Sequence, residues 1–206
     1  MSEQVYRRAV MLSEEALLSN LEELRKLYGN SVTFAIPETL TARYEDKVAS
    51  VVGSEAIDVD GLPFAELLGV GEIGGLHSAV WLRSHVLGIR DAAAGEGISY
   101  GATHILEHDS QIALAPVGFA DGIDRKLSGS LSVLVEGHSL PVLGRIAMDS
   151  ISFDVTDLTV TKIGTTVDIF RSESGFGFDR ASQILGTTTA ELAIRLSERA
   201  EVILCR

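Results

Sequence analysis

Apolar positions along the chain fall into two regimes. In the first, up to about residue 55, they recur at helical spacing between short apolar runs; from Ala79 onward they form short β-branched runs broken by glycine, aspartate and serine. Val5 to Leu12 reads as a strand. Ser13 is placed to cap a helix that Glu14 and Glu15 open, and Leu17, Leu21, Leu24 and Tyr28 make its apolar stripe. Arg25 and Lys26 complement its carbonyl end, and Gly29 closes it in a left-handed turn. Val32 to Ile36 reads as a buried strand stopped by Pro37, and Thr39 to Val52 as a second helix of weaker periodicity. Ala56 to Gly75 is glycine-rich and supports no assignment.

The second regime predicts strands at Val80 to Ile89, Gln111 to Val117, Ser130 to Val135, Leu140 to Ile146, Ser150 to Val155 and Thr165 to Phe170. Strands at this spacing predict a sandwich or barrel. Glu136-Gly137-His138 is a hairpin signal, because glycine accepts the positive φ that a tight turn needs. Asp179 to Leu185 reads as a helical turn ended by Gly186, Thr189 to Arg199 as an amphipathic helix, and Val202 to Leu204 as a closing strand. No internal repeat or low-complexity segment interrupts the pattern.

Composition narrows the function classes. The 206 residues can bury a sizeable core as one domain or one with an appendage. Seventeen basic against 29 acidic side chains give a formal charge of −12, so no basic footprint exists for nucleic acid or anionic lipid. The lone cysteine, Cys205, excludes an intrachain disulfide, and no apolar run has the length of a membrane span or a signal sequence. The expectation is a soluble, unprocessed cytoplasmic protein.

Two chemical signals are weak. His104 and His108 are four apart beside Glu107 and Asp109, yet in an extended segment they would stand about 13 Å apart at roughly 3.3 Å per residue, so no metal site is expected. Gly69-Val70-Gly71-Glu72-Ile73-Gly74-Gly75 has the glycines of a phosphate loop without its lysine, and reads as a connection.

The strong signal is a set of blocks in fixed order: Ile98-Ser99-Tyr100-Gly101-Ala102-Thr103, then Pro116-Val117-Gly118-Phe119-Ala120-Asp121-Gly122, then Val142-Leu143-Gly144-Arg145-Ile146-Ala147-Met148-Asp149. These resemble the carboxy-terminal β-domain of the alanine racemases, which use pyridoxal phosphate, over about 125 residues from Val80 to the end. Arg8-Ala9 with Ala16, Leu17, Asn20, Leu21, Leu24 and Arg25 is similar to the family's opening strand and first helix. The resemblance implies a mainly β chain with flanking helices (α+β): a small Greek-key β-barrel over 79–206 and a remnant α/β segment over 1–78. A complete cofactor-binding (β/α)₈ barrel, which takes about 250 residues, does not fit in the latter.

By the same resemblance Tyr100 matches the tyrosine that moves the Cα proton, and Met148 and Asp149 match a pair whose neighbourhood contacts the substrate carboxylate. Two local readings stand beside these: Tyr100 packing its ring and bonding its hydroxyl to backbone, and Asp149 capping a turn at a strand end. A phenol with an ordinary pKa near 10 is a poor base unless donors or cations lower it, and in the family those belong to the opposite subunit's barrel. Phe119 stands where the family usually has tyrosine, and Arg125 matches a basic residue just beyond. Pro37 falls near the place of the Schiff-base lysine, and Lys26, Lys47, Lys126 and Lys162 all lie in polar contexts. Ala190-Glu191 replaces a Tyr-Glu pair whose hydroxyl binds the cofactor phosphate. The reading expects no covalently bound pyridoxal phosphate and a non-catalytic binding or dimerisation module, with the Tyr100, Arg145, Met148 and Asp149 face covered by a second copy or another protein. Two alternatives stay open: a racemase fragment lending Tyr100 in trans to a barrel on a partner, and a sensor of a small amino acid near Met148 and Asp149.

Overall fold

A computed structural model of the protein describes residues 8–58, 60–196 and 199–205, with residues 39, 41 and 42 by their backbone alone. The N-terminal part runs β1 (Ala9–Ser13), α1 (Glu14–Tyr28), β2 (Phe34–Ala35), α2 (Glu38–Val52), β3 (Leu62–Pro63) and α3 (Phe64–Leu67). There follow β4 (Val80–His85), β5 (Gly88–Ala92), β6 (Gly97–Ile98), β7 (His104–Ile105), β8 (Ser110–Ala115), β9 (Ser132–Val135), β10 (His138–Pro141), β11 (Ile151–Asp154) and β12 (Thr166–Ile169). The chain closes with α4 (Phe178–Leu185), α5 (Thr189–Ile194) and β13 (Glu201–Cys205). It is mainly β with flanking helices, as expected.

Local chemistry sets these boundaries. Ser13 caps α1 by accepting the Ala16 N–H on its Oγ at 3.2 Å, and Leu17, Leu21 and Leu24 are buried. Tyr28, expected in that stripe, is 56% exposed, because the last turn of α1 runs past the core that Leu24 still reaches. Gly29 does end the helix at positive φ (93°), but its ψ of 168° is extended rather than helical. Pro37 directly precedes α2, its fixed φ suiting a helix start. Glu136 (φ 49°) and Gly137 (φ 80°) both take the left-handed conformation and join β9 to β10 in the expected tight hairpin.

Among the described residues, six strands form one sheet in the order β10-β9-β12-β4-β1-β13, and three form another in the order β11-β8-β5. β1 lies inside the first sheet, antiparallel to β4 with Ala9 opposite Arg83 and parallel to β13 with Ala9 opposite Glu201. The sheet therefore crosses the expected boundary at 78/79. A single apolar core does so too, taking in Leu17 and Leu24 of α1, Tyr44 and Val48 of α2, Val10 and Leu12 of β1, and Val133, Phe153 and Phe178 beyond. Asn20, 1% exposed, adds a polar staple: its amide donates to the carbonyls of Leu67 and His77 at 3.0 and 2.8 Å and accepts the His77 N–H at 2.9 Å.

Several expectations differ. Val80 to Ile89 is two strands, because the Val86 N–H bonds Thr165 O at 2.8 Å whereas the Leu87 N–H bonds Leu114 O at 2.7 Å, so consecutive residues belong to different sheets. Leu140 to Ile146 is strand only to Pro141; Val142 makes a lone bridge to Phe153, which joins the two sheets at a second corner. The unassigned 56–75 stretch holds β3 and α3, with β3 parallel to β2 around α2. The helix expected over Thr189 to Arg199 ends at Ile194, and residues 197 and 198 lie outside the described residues, as do residues 5–7 of the first expected strand. Among the described residues no helix is long and apolar enough to cross a membrane.

Candidate functional site

Tyr100 stands at the tip of the turn between β6 and β7. Ser99 (φ 65°), Gly101 (φ 80°) and Ala102 (φ 48°) flank it in the left-handed conformation, which costs an L-residue roughly 1–2 kcal/mol each outside glycine. Such a turn persists only where its surroundings hold it. Ser99 Oγ donates to the Arg145 carbonyl, and Gly144 lets the 142–145 stretch lie against the turn: a Cβ there would meet Ile98 O at 2.7 Å. The tyrosine ring, held at its base, is itself 74% exposed. The reading in which it packs and bonds to backbone is thereby corrected, since among the described residues no side chain covers the tip of this short hairpin.

A second close approach continues the strip. The Phe119 and Ala120 N–H groups donate to the carbonyls of Ala147 and Met148 at 3.0 and 2.7 Å. Gly118 permits this, because a Cβ at that position would lie 2.4 Å from Ala147 O and 2.9 Å from Asp149 N. Tyr100, Arg145, Met148 and Phe119 thus occur on successive, mutually bonded loops. Met148 is 62% and Phe119 47% exposed. The Asp149 carboxylate is exposed and accepts no hydrogen bond among the described residues, so the turn-capping reading is also corrected; the backbone bond from Ala147 N to Ser150 O at 3.1 Å closes that turn instead.

The group that organises this strip from beneath is Asp121, fully buried at the end of the Phe119–Asp121 3₁₀ turn. Its carboxylate accepts the Gly118 N–H at 2.9 Å and the Arg199 guanidinium at 3.0 Å, and lies 3.3 Å from Arg8 Nε. Arg8 also donates to Pro116 O at 2.6 Å. Residues just before β1 and just before β13 are therefore anchored on the loop that carries Phe119. No local signal reveals this, since the partners lie 113 and 78 residues away along the chain.

Other predicted positions fall apart from the strip or at its margin. Arg125 is exposed on the 3₁₀ turn Arg125–Leu127. Glu191 bonds Thr187 and Arg195 on the surface of α5, whose Leu192 and Arg195 face Phe119 and Asp124 across a hollow of about 290 Å³. Pro37 lies at the start of α2, remote in the fold order from the β6–β7 turn. His104 is half-buried on β7 and His108 exposed beyond it; among the described residues no group of three metal-ligating side chains assembles.

Comparison with known proteins adds a family to this geometry. The family model described as "Alanine racemase, C-terminal domain" matches residues 79–204. Alanine racemase 1 of Clostridium acetobutylicum is 38% identical over 120 residues, covering 57% of this chain and 31% of that protein. The match thus spans about a third of that curated relative. The biosynthetic alanine racemase of Pseudomonas aeruginosa superposes with a TM-score of 0.62 at 26% identity, over 92% of this chain and 51% of that one. An alanine racemase structure from Acinetobacter baumannii gives a TM-score of 0.72 over 97% of this chain and 100% of that chain; at 17% identity it speaks for the fold alone.

Proposed function

The chain belongs to the alanine racemase C-terminal domain family, and from that premise we propose that it is a non-catalytic binding and dimerisation module without covalently bound pyridoxal phosphate. In this reading residues 79–206 are the family's β-domain and residues 1–78 a remnant of its barrel. The observation that carries the proposal is the placement of the four lysines. A Schiff base needs an uncharged amine, which proteins obtain by desolvating lysine or crowding it with cations. Lys26 is instead exposed on α1 and ion-paired to Glu23 and Glu22 at 2.7 and 3.6 Å, and the paired carboxylates raise its pKa. Lys126 and Lys162 are exposed and Lys47 is only half-buried on α2. These lysines do not fit what the cofactor requires.

The exposed strip supports the dimerisation half of the reading. Tyr100, Phe119 and Met148 are large side chains left at 74, 47 and 62% exposure on loops that are internally bonded, which suits a surface awaiting a second copy. The same observation favours one alternative, in which the held, outward Tyr100 is lent to a barrel on another protein that brings its own lysine.

Incubation of the chain with pyridoxal phosphate and alanine in deuterated buffer tests the first half. The expected result is no loss of the α-proton signal above the free-cofactor background; exchange above it overturns the proposal. Sedimentation equilibrium tests the second, with a dimer expected that Met148→Arg and Phe119→Glu dissociate. A monomer at all concentrations, unaltered by either change, removes the self-association reading.

A further inference from the structure

A hollow of about 190 Å³ lies where the start of α1 meets the chain leaving β12, and its walls include Ser13, Ala16, Trp81, Phe170, Arg171 and Ser172. Trp81 belongs to a small apolar cluster with Ala9 and Met11, separate from the main core. It is the one tryptophan of the chain and is 6% exposed. Its sole polar side-chain atom, Nε1, is fully buried and meets no hydrogen-bond acceptor among the described residues. A buried donor left without an acceptor is costly, and it points to a group that completes it. Other donors line the same hollow. Ser13 Oγ accepts the Ala16 N–H at 3.2 Å, so its own hydroxyl proton stays available. The Ser172 hydroxyl makes no hydrogen bond among the described residues. Arg171 uses Nε on Glu173 at 3.0 Å and Nη1 on Asp168 at 3.2 Å and leaves Nη2 uncommitted. Its guanidinium lies 4.5 Å from the Trp81 ring centroid, which holds it at the wall. Phe170 turns the chain out of β12 in the left-handed conformation (φ 61°), and its stacking on Phe178 at 4.9 Å supports that strained turn. The carboxylates nearby are matched: Asp168 pairs with Arg83 and Arg171, and Glu173, on the rim, pairs with Arg171. Glu14 and Glu15 open α1 without lining the hollow.

We infer that this hollow binds a small tetrahedral oxyanion of the phosphate or sulfate type. Trp81 Nε1, the Ser13 and Ser172 hydroxyls and Arg171 Nη2 are four donors around one cavity, and an oxyanion accepts from all of them. The first-turn N–H groups of α1 have no intrahelical acceptor and favour negative charge at that end. A cation would find a single carboxylate on the rim, Glu173, already paired with Arg171. At about 30 Å³ for each water in the liquid, the volume takes such an ion with a few waters and no extended molecule. Binding here does not depend on whether the chain dimerises or racemises amino acids.

Because the chain has one tryptophan, the indole N–H resonance of Trp81 reports on this site without overlap. Titration of the full chain with sodium phosphate, sodium sulfate and, at matched ionic strength, sodium chloride tests the inference. Phosphate and sulfate are expected to shift that resonance saturably, together with the Ala16 and Ser172 amides, and chloride to give only a weak linear drift. Arg171→Gln is expected to weaken binding at least about tenfold and Ser172→Ala to weaken it less, whereas Glu173→Gln is expected to tighten it by removing a like charge from the rim. Ser172 and Glu173 are exposed, so these two variants keep the test decisive where Arg171→Gln also disturbs the Asp168 pairs. Equal responses to phosphate and chloride, or phosphate binding indifferent to both Arg171→Gln and Ser172→Ala, overturn the site. Weaker binding in Glu173→Gln overturns the choice of an anion. Glycerol 3-phosphate separates a free ion from an esterified one: weaker binding than phosphate is expected from the size of the hollow, and tighter binding overturns the restriction to a free ion.

Discussion

A carboxylate with no exposed surface, such as that of Asp121, is tolerated only when bonded on all sides, and its partners here are two guanidiniums and a backbone N–H. Removing a buried ion-pair partner costs about 3–5 kcal/mol when the orphaned charge stays buried. Arg8 and Arg199 are 24 and 51% exposed, so they can rehydrate, and the cost falls to the lower end. Asp121→Ala is expected to lose about 3 kcal/mol in urea unfolding, with Arg199→Ala losing clearly less. The Phe119 and Met148 amide resonances should move in Asp121→Ala, because that carboxylate sets the Gly118 turn on which they rest; unchanged resonances would separate the charge cluster from the strip.

At the scale of elements, β1 is five residues long and paired on both sides. Its apolar run marks it as a strand, but nothing in it names β4 and β13 as neighbours. A chain beginning at Glu14 would expose the ladder groups of β4 and β13 to one another across an empty row and remove Val10 and Leu12 from the core. Such a chain is expected to lose its near-ultraviolet circular dichroism and its sharp thermal transition. Retention of both would reduce β1 to an accessory strand. The hairpin at Glu136-Gly137 is the opposite case, since two adjacent residues of positive φ specify the β9–β10 pairing locally.

For the molecule as a whole, stability should decline on the acid side. His85 is buried in β4, and burial, aided by the charge of Arg8, holds its pKa below the ordinary histidine range. The unfolded chain therefore binds a proton near pH 6.5 that the folded chain refuses, so stability is full above that pH and falls as pH drops toward the folded value. Asp154 adds to the loss only at much lower pH: burial acts to raise its pKa, but bonds from Thr156 and Ser110 and the charge of His108 outweigh it and leave the pKa lowered. Melting temperatures between pH 8 and 5 should thus be flat and then fall below about pH 6.5, and His85→Gln and His85→Phe should flatten that decline. An unchanged slope in both variants would assign the proton uptake elsewhere.

The sequence by itself determined the periodic elements and the hairpin, because spacing, caps and turn residues act within a few positions: Ser13 before α1, Pro37 before α2, Gly137 after Glu136. It also carried the family, through the Tyr100, Gly118 and Met148-Asp149 blocks. Only the tertiary structure decided which strands are neighbours, that the segment before Ala79 shares a sheet and core with the β-rich remainder of the chain, and that Asp121, within its turn, is a buried charge. Those outcomes depend on contacts between positions that are far apart along the chain, such as Ala9 with Glu201 and Asp121 with Arg8, and no local pattern encodes them. Exposure belongs to the same class: Tyr100 reads alike whether packed or bare, and its 74% exposure reflects how little structure stands beside the β6–β7 turn.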